Sequence, residues 1–129
     1  MVDFGGGGGI MDIGGENVKM LPKADEAVIP IEKFTMYALN TDKQEDKAKA
    51  FELALGYNAA NAGKLIDNIR KNLALFPALP KGNLKGYGDV YQVEMVLVGE
   101  NGRSAKVMTG WIDDFKTGEM RLTSAYVNK

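Results

Sequence analysis

After Gly88 the apolar residues change their period, and this change constrains the fold more than any other feature of the chain. Before it they recur at three and four residues. Beyond it, in DVYQVEMVLVGENGRSAKVMTGWI, they alternate with polar ones. The first spacing draws an apolar stripe along a helix, and the second draws one face of a strand. Helices first and adjoining strands afterwards predict an α+β domain. In it, N-terminal helices pack on one face of a small antiparallel sheet of about four strands.

In the first half, Ile31, Phe34, Tyr37 and Ala38 follow Pro30 at helical spacing and predict a short helix. TDKQ has capping-box form, with Thr41 three residues before Gln44. Ala48, Phe51, Ala54 and Leu55 make the inner face of a second helix that stops at Gly56. Asn58 can cap a third, whose stripe is Ala62, Leu65, Ile66, Ile69 and Leu73. FPALPKGNLKGYG, with two prolines and three glycines, reads as a loop. Asn101-Gly102 predicts a two-residue type I′ hairpin, and KTGE a second tight turn before a strand at residues 119–127. A fourth strand is expected in residues 84–88 or near AVIP. Residues 1–21 contain five consecutive glycines and read as a flexible linker that joins a domain at 22–129 to a larger chain.

The two turns set which side chains share a face. A two-residue Asn101-Gly102 loop places Glu94 opposite Thr109 and Gln92 opposite Trp111. A two-residue Thr117-Gly118 loop places Trp111 opposite Ser124 and Thr109 opposite Tyr126. Tyr91, Val93, Met95, Leu97, Met108, Ile112, Thr123, Ala125 and Val127 then face the helices. Gln92, Glu94, Thr109, Trp111, Ser124 and Tyr126 form a polar-aromatic patch on the uncovered face. That patch holds a carboxylate, two hydroxyls, a phenol and a stacking ring, groups able to bind and cleave a phosphodiester or stack a base. A solvated outer face of a sheet is the ordinary alternative.

Composition narrows the chemistry. The 129-residue chain contains no cysteine and no histidine. Disulfides, zinc-thiolate sites, cysteine nucleophiles and Ser-His-Asp triads are excluded. Reactions must rest on Lys, Arg, Tyr, hydroxyls or carboxylates. Net charge is −1, but residues 1–46 carry four Lys against nine Asp/Glu, while residues 47–129 carry twelve Lys/Arg against eight. No apolar run reaches the length of a membrane span.

KAKAFELALGYNAANAGKLIDNIRKNL, ENGRSAKVMTGWI and RLTSAYV together resemble the C-terminal toxin domains of bacterial polymorphic and contact-dependent growth inhibition toxins. Those domains are placed in the barnase/EndoU/colicin/RelE group of metal-independent ribonucleases. The resemblance covers roughly residues 30–127. It implies helices on a four-stranded sheet whose open face holds the active site, with no metal and no cofactor. Ser124 stands where the family usually has Thr, Arg121 matches the family arginine, and Lys47 matches the lysine of the first helix.

On this reading Glu94 or Lys47 assists the 2′-OH, and Lys47 and Arg121 stabilise the phosphorane. Tyr126 positions phosphate or acts as acid, while Thr109 and Ser124 donate hydrogen bonds. Trp111 and Tyr87 stack bases, Lys85, Arg103 and Lys106 meet phosphates, and Gln92 adds a polar contact. The product is a 2′,3′-cyclic phosphate. The implied substrate is RNA, tRNA above all, and the implied partner is an acidic immunity protein, the domain being otherwise monomeric. The implied setting is a secreted or cell-surface effector that acts in the target-cell cytoplasm. Ordinary alternatives stand beside several roles: Lys47 as a surface lysine, Trp111 packed under a loop, Arg121 paired with Asp114, Arg103 solvated. The rival function is a non-catalytic protein-binding module of a phage or secretion-associated protein.

Overall fold

The computed structural model describes residues 19–128. A π-helical turn at Phe34–Ala38 precedes two helices, α1 (Glu45–Leu55) and α2 (Ala62–Asn72). Four strands follow: β1 (Ala78–Leu84), β2 (Gly88–Val98), β3 (Ser104–Asp114) and β4 (Met120–Val127). They form one antiparallel sheet in chain order, and the helices lie on one side of it. The α+β architecture expected from the change of period is the architecture found.

The apolar stripes account for the helices. Ala48, Phe51 and Leu55 of α1 are buried, and so are Ala62, Leu65 and Ile69 of α2, with Leu73 just beyond its end. Each large side chain buried this way stabilises the fold by about 1.5–3 kcal/mol. α1 ends at Gly56, whose φ of 78° is left-handed and whose N–H donates to Glu52 O. Asn58 accepts from the Ala60 N–H, and Asn61 Oδ1 accepts from the Asn58 N–H, closing a reciprocal cap ahead of α2. The expected cap at Thr41 does not form. α1 starts without a side-chain cap, and Asn40 closes the turn before it, its Oδ1 accepting from the Asp42 and Lys43 N–H groups, because an Asn side chain reaches its own backbone two residues on.

The segment after Pro30 differs from a regular helix. Leu39 N–H donates to Phe34 O, five residues back, which widens the turn. Phe34 and Ala38 stay buried while Ile31 and Tyr37 are turned outward. At the other end of the first segment, Lys19 O accepts from the Ala78 N–H and Leu21 is buried. Residues 19–21 are therefore folded, and the rest of the expected linker lies outside the described residues.

Three expectations about the sheet are corrected. The Pro/Gly-rich run is not a loop: Ala78–Leu84 is an edge strand, irregular between Pro80 and Gly82, where Pro and Gly are tolerated. Leu84 and Gly88 pair at the strand ends, and residues 85–87 are the turn to β2. The first hairpin has a three-residue loop, Glu100–Gly102. Gly99 N–H donates to Arg103 O, Gly102 N–H donates to Gly99 O, and Gly102 sits at φ 79°. This slips β3 by one residue, so Val93 pairs with Thr109 and Tyr91 with Trp111. A one-residue slip turns a strand over. Thr109 and Trp111 therefore enter the core with Val93, Met95 and Leu97, while Met108 and Ile112 turn to the other side.

The last hairpin uses a four-residue loop, 115–118, with Asp114 N–H donating to Glu119 O. β4 then carries a bulge. Trp111 pairs with Leu122 but Gly110 pairs with Ser124, leaving Thr123 as the extra residue. Met120 and Leu122 complete the core, and Thr123 is exposed instead of buried. The AVIP segment contributes a single parallel bridge, Val28 to Arg121, on the outer edge of β4.

Candidate functional site

The bulge in β4 brings two hydroxyls over one glycine. A Cβ added to Gly110 would lie 2.6 Å from Ser124 Oγ and 3.0 Å from Thr123 Oγ1. Thr123 and Ser124, with Ala125, form one wall of a pocket of about 150 Å³ on the β4 side of the sheet. Lys33 and Tyr37 of the π-helical segment form another wall, and Gln44 and Lys47 at the start of α1 a third.

Lys47 Nζ lies 5.6 Å from the centre of the Tyr126 ring, and Lys33 Nζ lies 5.8 Å from that of Tyr37. Such cation–π contacts hold an ammonium in place and leave its charge available. Among the described residues neither lysine is in an ion pair. Lys49, two residues on, is paired instead with Glu45 at 2.8 Å. Its hydrogen bond and charge hold the Glu45 carboxyl below the usual range. The pocket thus gathers two ammonium groups, two hydroxyls, a phenol and a carboxamide, and its lining includes no carboxylate. Donors and positive charge converging on one small volume suit an anion with several oxygens.

Of the expected site residues, Lys47 and Ser124 line this pocket, and Tyr126 adjoins it through its contact with Lys47. Gln92 and Glu94 share the open face with Ser124 and Tyr126. Gln92 stands in the row of Gly110 and Ser124, and Glu94 in the row of Met108 and Tyr126. Asn128 Nδ2 donates to the Glu94 carboxylate. Two strand spacings separate Glu94 from Tyr126, about 10 Å. Lys106 lies one row farther, exposed opposite Val96.

The other expected residues lie elsewhere. Thr109 and Trp111 are fully buried. The Thr109 hydroxyl donates to Val93 O at 2.7 Å and accepts from Trp111 Nε1 at 2.8 Å, so the pair is a closed core network. Trp111 has no face free for stacking. Arg121 is held by Asp114, Nη2 to Oδ2 at 2.5 Å, the alternative the sequence also allowed. That hydrogen bond, with others from the Lys116 and Thr117 N–H groups, holds the Asp114 carboxyl below its usual range. Lys85 and Tyr87 occupy the β1–β2 turn, and Arg103 the opposite end of the sheet, all exposed and away from the pocket.

Sequence reasoning missed Lys33, Tyr37, Gln44 and Thr123. Lys33 and Tyr37 stand four apart, a spacing at which a lysine and an aromatic meet on one helix face, and this signal was readable. Thr123 carried no signal, because nothing in RLTSAYV marks a bulge.

Among the described residues no three carboxylates gather into a metal-binding group, and no helix is long and apolar enough to cross a membrane. Fold and pocket together define a small α+β domain with an anion-suited pocket at the edge of an open sheet face. Residues 20–129 match the family described as Domain of unknown function (DUF6883), and the chain belongs to that family. No curated protein and no solved structure matches the chain.

Proposed function

We propose that this domain is a metal-independent endoribonuclease acting on RNA, tRNA above all. We read it as the toxin part of a larger secreted or cell-surface effector, acting in the target-cell cytoplasm. The observation that supports this is that Lys47 and Ser124 line one pocket that has no carboxylate in its lining, with the Tyr126 ring beside it against Lys47. RNA supplies its own nucleophile, the 2′-OH. The protein needs to seat the phosphate, stabilise charge on it, take one proton and return one.

In this reading the scissile phosphate sits against Lys47 and the Ser124 hydroxyl. The ammonium and hydroxyl are preorganised donors for the phosphorane oxygens. Tyr126 stands between the phosphate and the centre of the open face, where its phenol protonates the leaving 5′-oxygen. Glu94, oriented by Asn128, faces the same row across Met108. A ribose and its phosphate can bridge the gap of about 10 Å between those strands, which lets Glu94 take the 2′-OH proton. Tyr37 replaces the buried Trp111 as the stacking ring. The lysines at the pocket and Lys106 on the open face suit an acidic immunity protein as inhibitor.

The test uses the full chain, purified without partner, mixed with tRNA in the presence of a chelator. Expected are discrete fragments ending in 2′,3′-cyclic phosphate, with Lys47→Ala slowing cleavage about 100-fold. Intact RNA under all conditions contradicts the proposal. It would favour the protein-binding reading, for which the exposed Leu79, Val96 and Val98 on the same sheet face are the supporting observation.

A further inference from the structure

Gly110 lies in the interior of β3, where glycine weakens a strand. Its backbone does not explain it. Gly56, Gly82, Gly86, Gly88, Gly102 and Gly118 have positive φ, and Gly110 does not. Space explains it. A side chain at Gly110 would collide with Ser124 Oγ at 2.6 Å and press on Thr123 Oγ1 at 3.0 Å. At Gly63, Gly82 and Gly118 nothing lies within 4 Å of an added Cβ. The glycine is opposite the bulge that sets Thr123 and Ser124 side by side, and both residues line the pocket with Lys33 and Lys47.

We propose that Thr123 is a second hydroxyl ligand of the phosphoryl group bound in this pocket, and that Gly110 is a positioning residue that keeps the Thr123 and Ser124 hydroxyls aimed at it. The ligand class is a phosphate ester with free oxygens, held by two ammonium groups and two hydroxyls. This rests on the reading of the pocket as the phosphate seat of a ribonuclease, and it adds two residues to which no role was attached.

The bulge is the device that makes the pair. In a regular strand neighbouring side chains point to opposite faces. A bulge sets two residues against one partner residue and re-aims a side chain. Two adjacent hydroxyls can then reach two oxygens of one phosphoryl group. A methyl at position 110 would push both hydroxyls out of alignment while leaving every charge in place.

The experiment titrates uridine 3′-monophosphate into the full chain and follows binding by calorimetry and backbone amide shifts. Thr123→Val, which removes the hydroxyl and keeps the shape, is expected to weaken binding about tenfold, as loss of a hydrogen bond to a charged group does. Thr123→Ser restores it. Gly110→Ala weakens binding similarly, and adding it to Thr123→Val costs little more, since both remove the same contact. Thermal melting of Thr123→Val matches that of the natural chain. Undiminished binding by Thr123→Val, with binding lost in Lys47→Ala, overturns the proposal, as does absence of binding by the natural chain. If binding depends on Thr123 but RNA stays uncut, the phosphate seat stands and the ribonuclease reading falls.

Discussion

The sheet carries two sets of hydroxyls on opposite faces, and they differ in every respect that matters for function. Thr109, on the buried face, gives its proton to Val93 O and takes one from Trp111 Nε1. Its hydrogen-bonding capacity is spent inside the core, where an unpaired indole N–H would be costly. Thr123 and Ser124, on the open face, are exposed, and among the described residues neither has a side-chain partner. Satisfied groups hold a fold together, and open ones are available to a ligand. The same contrast separates the cations: Arg121 is tied to Asp114, while Lys47 rests on the Tyr126 ring.

The comparison breaks most visibly at Trp111. Trp111→Ala empties a fully buried site and is expected to lower stability by about 3–5 kcal/mol in a urea titration. A surface role for this residue would leave the midpoint almost unmoved. Thr109→Val is next, at about 1–3 kcal/mol, because it strands the Trp111 N–H in the core.

A smaller effect follows from Arg121 and Asp114. The folded state holds the Asp114 carboxyl below its ordinary value, first through the Arg121 hydrogen bond. Its stabilisation is therefore complete above the ordinary carboxylate range and is lost as pH falls through the lowered folded value. Asp114→Asn should flatten the acid limb of a stability–pH profile and leave the profile near neutral pH parallel to that of the natural chain. An unchanged acid limb would show that the pair contributes nothing.

The sequence made much of this legible, and the pattern of misses has a physical cause. Apolar periods located α1, α2 and the strands after Gly88, because burial of a stripe or face is a property of many residues at once. Asn101-Gly102 located the hairpin but not its loop length. Asn101 Oδ1 accepts from the Arg103 N–H and Gly102 takes the left-handed conformation, which lengthens the loop to three residues. That one residue turned β3 over. The bulge at Thr123 then offset the slip for β4, so Glu94 still shares a row with Tyr126, and Gln92 with Ser124. On the open face the middle strand was misread: Met108 and Gly110 occupy the places expected for Thr109 and Trp111. Loop length and bulges are set by one or two residues, and a pattern of period two cannot resolve them.

The most direct measurement of the account sets two variants side by side, with RNA cleavage and melting temperature read on each. Lys47→Ala is expected to abolish most cleavage while melting with the natural chain. Thr109→Val is expected to melt earlier while cleaving at the natural rate at temperatures where it is folded. Cleavage lost in Thr109→Val while still folded, or retained in Lys47→Ala, would contradict the division between a closed core face and an open reactive one.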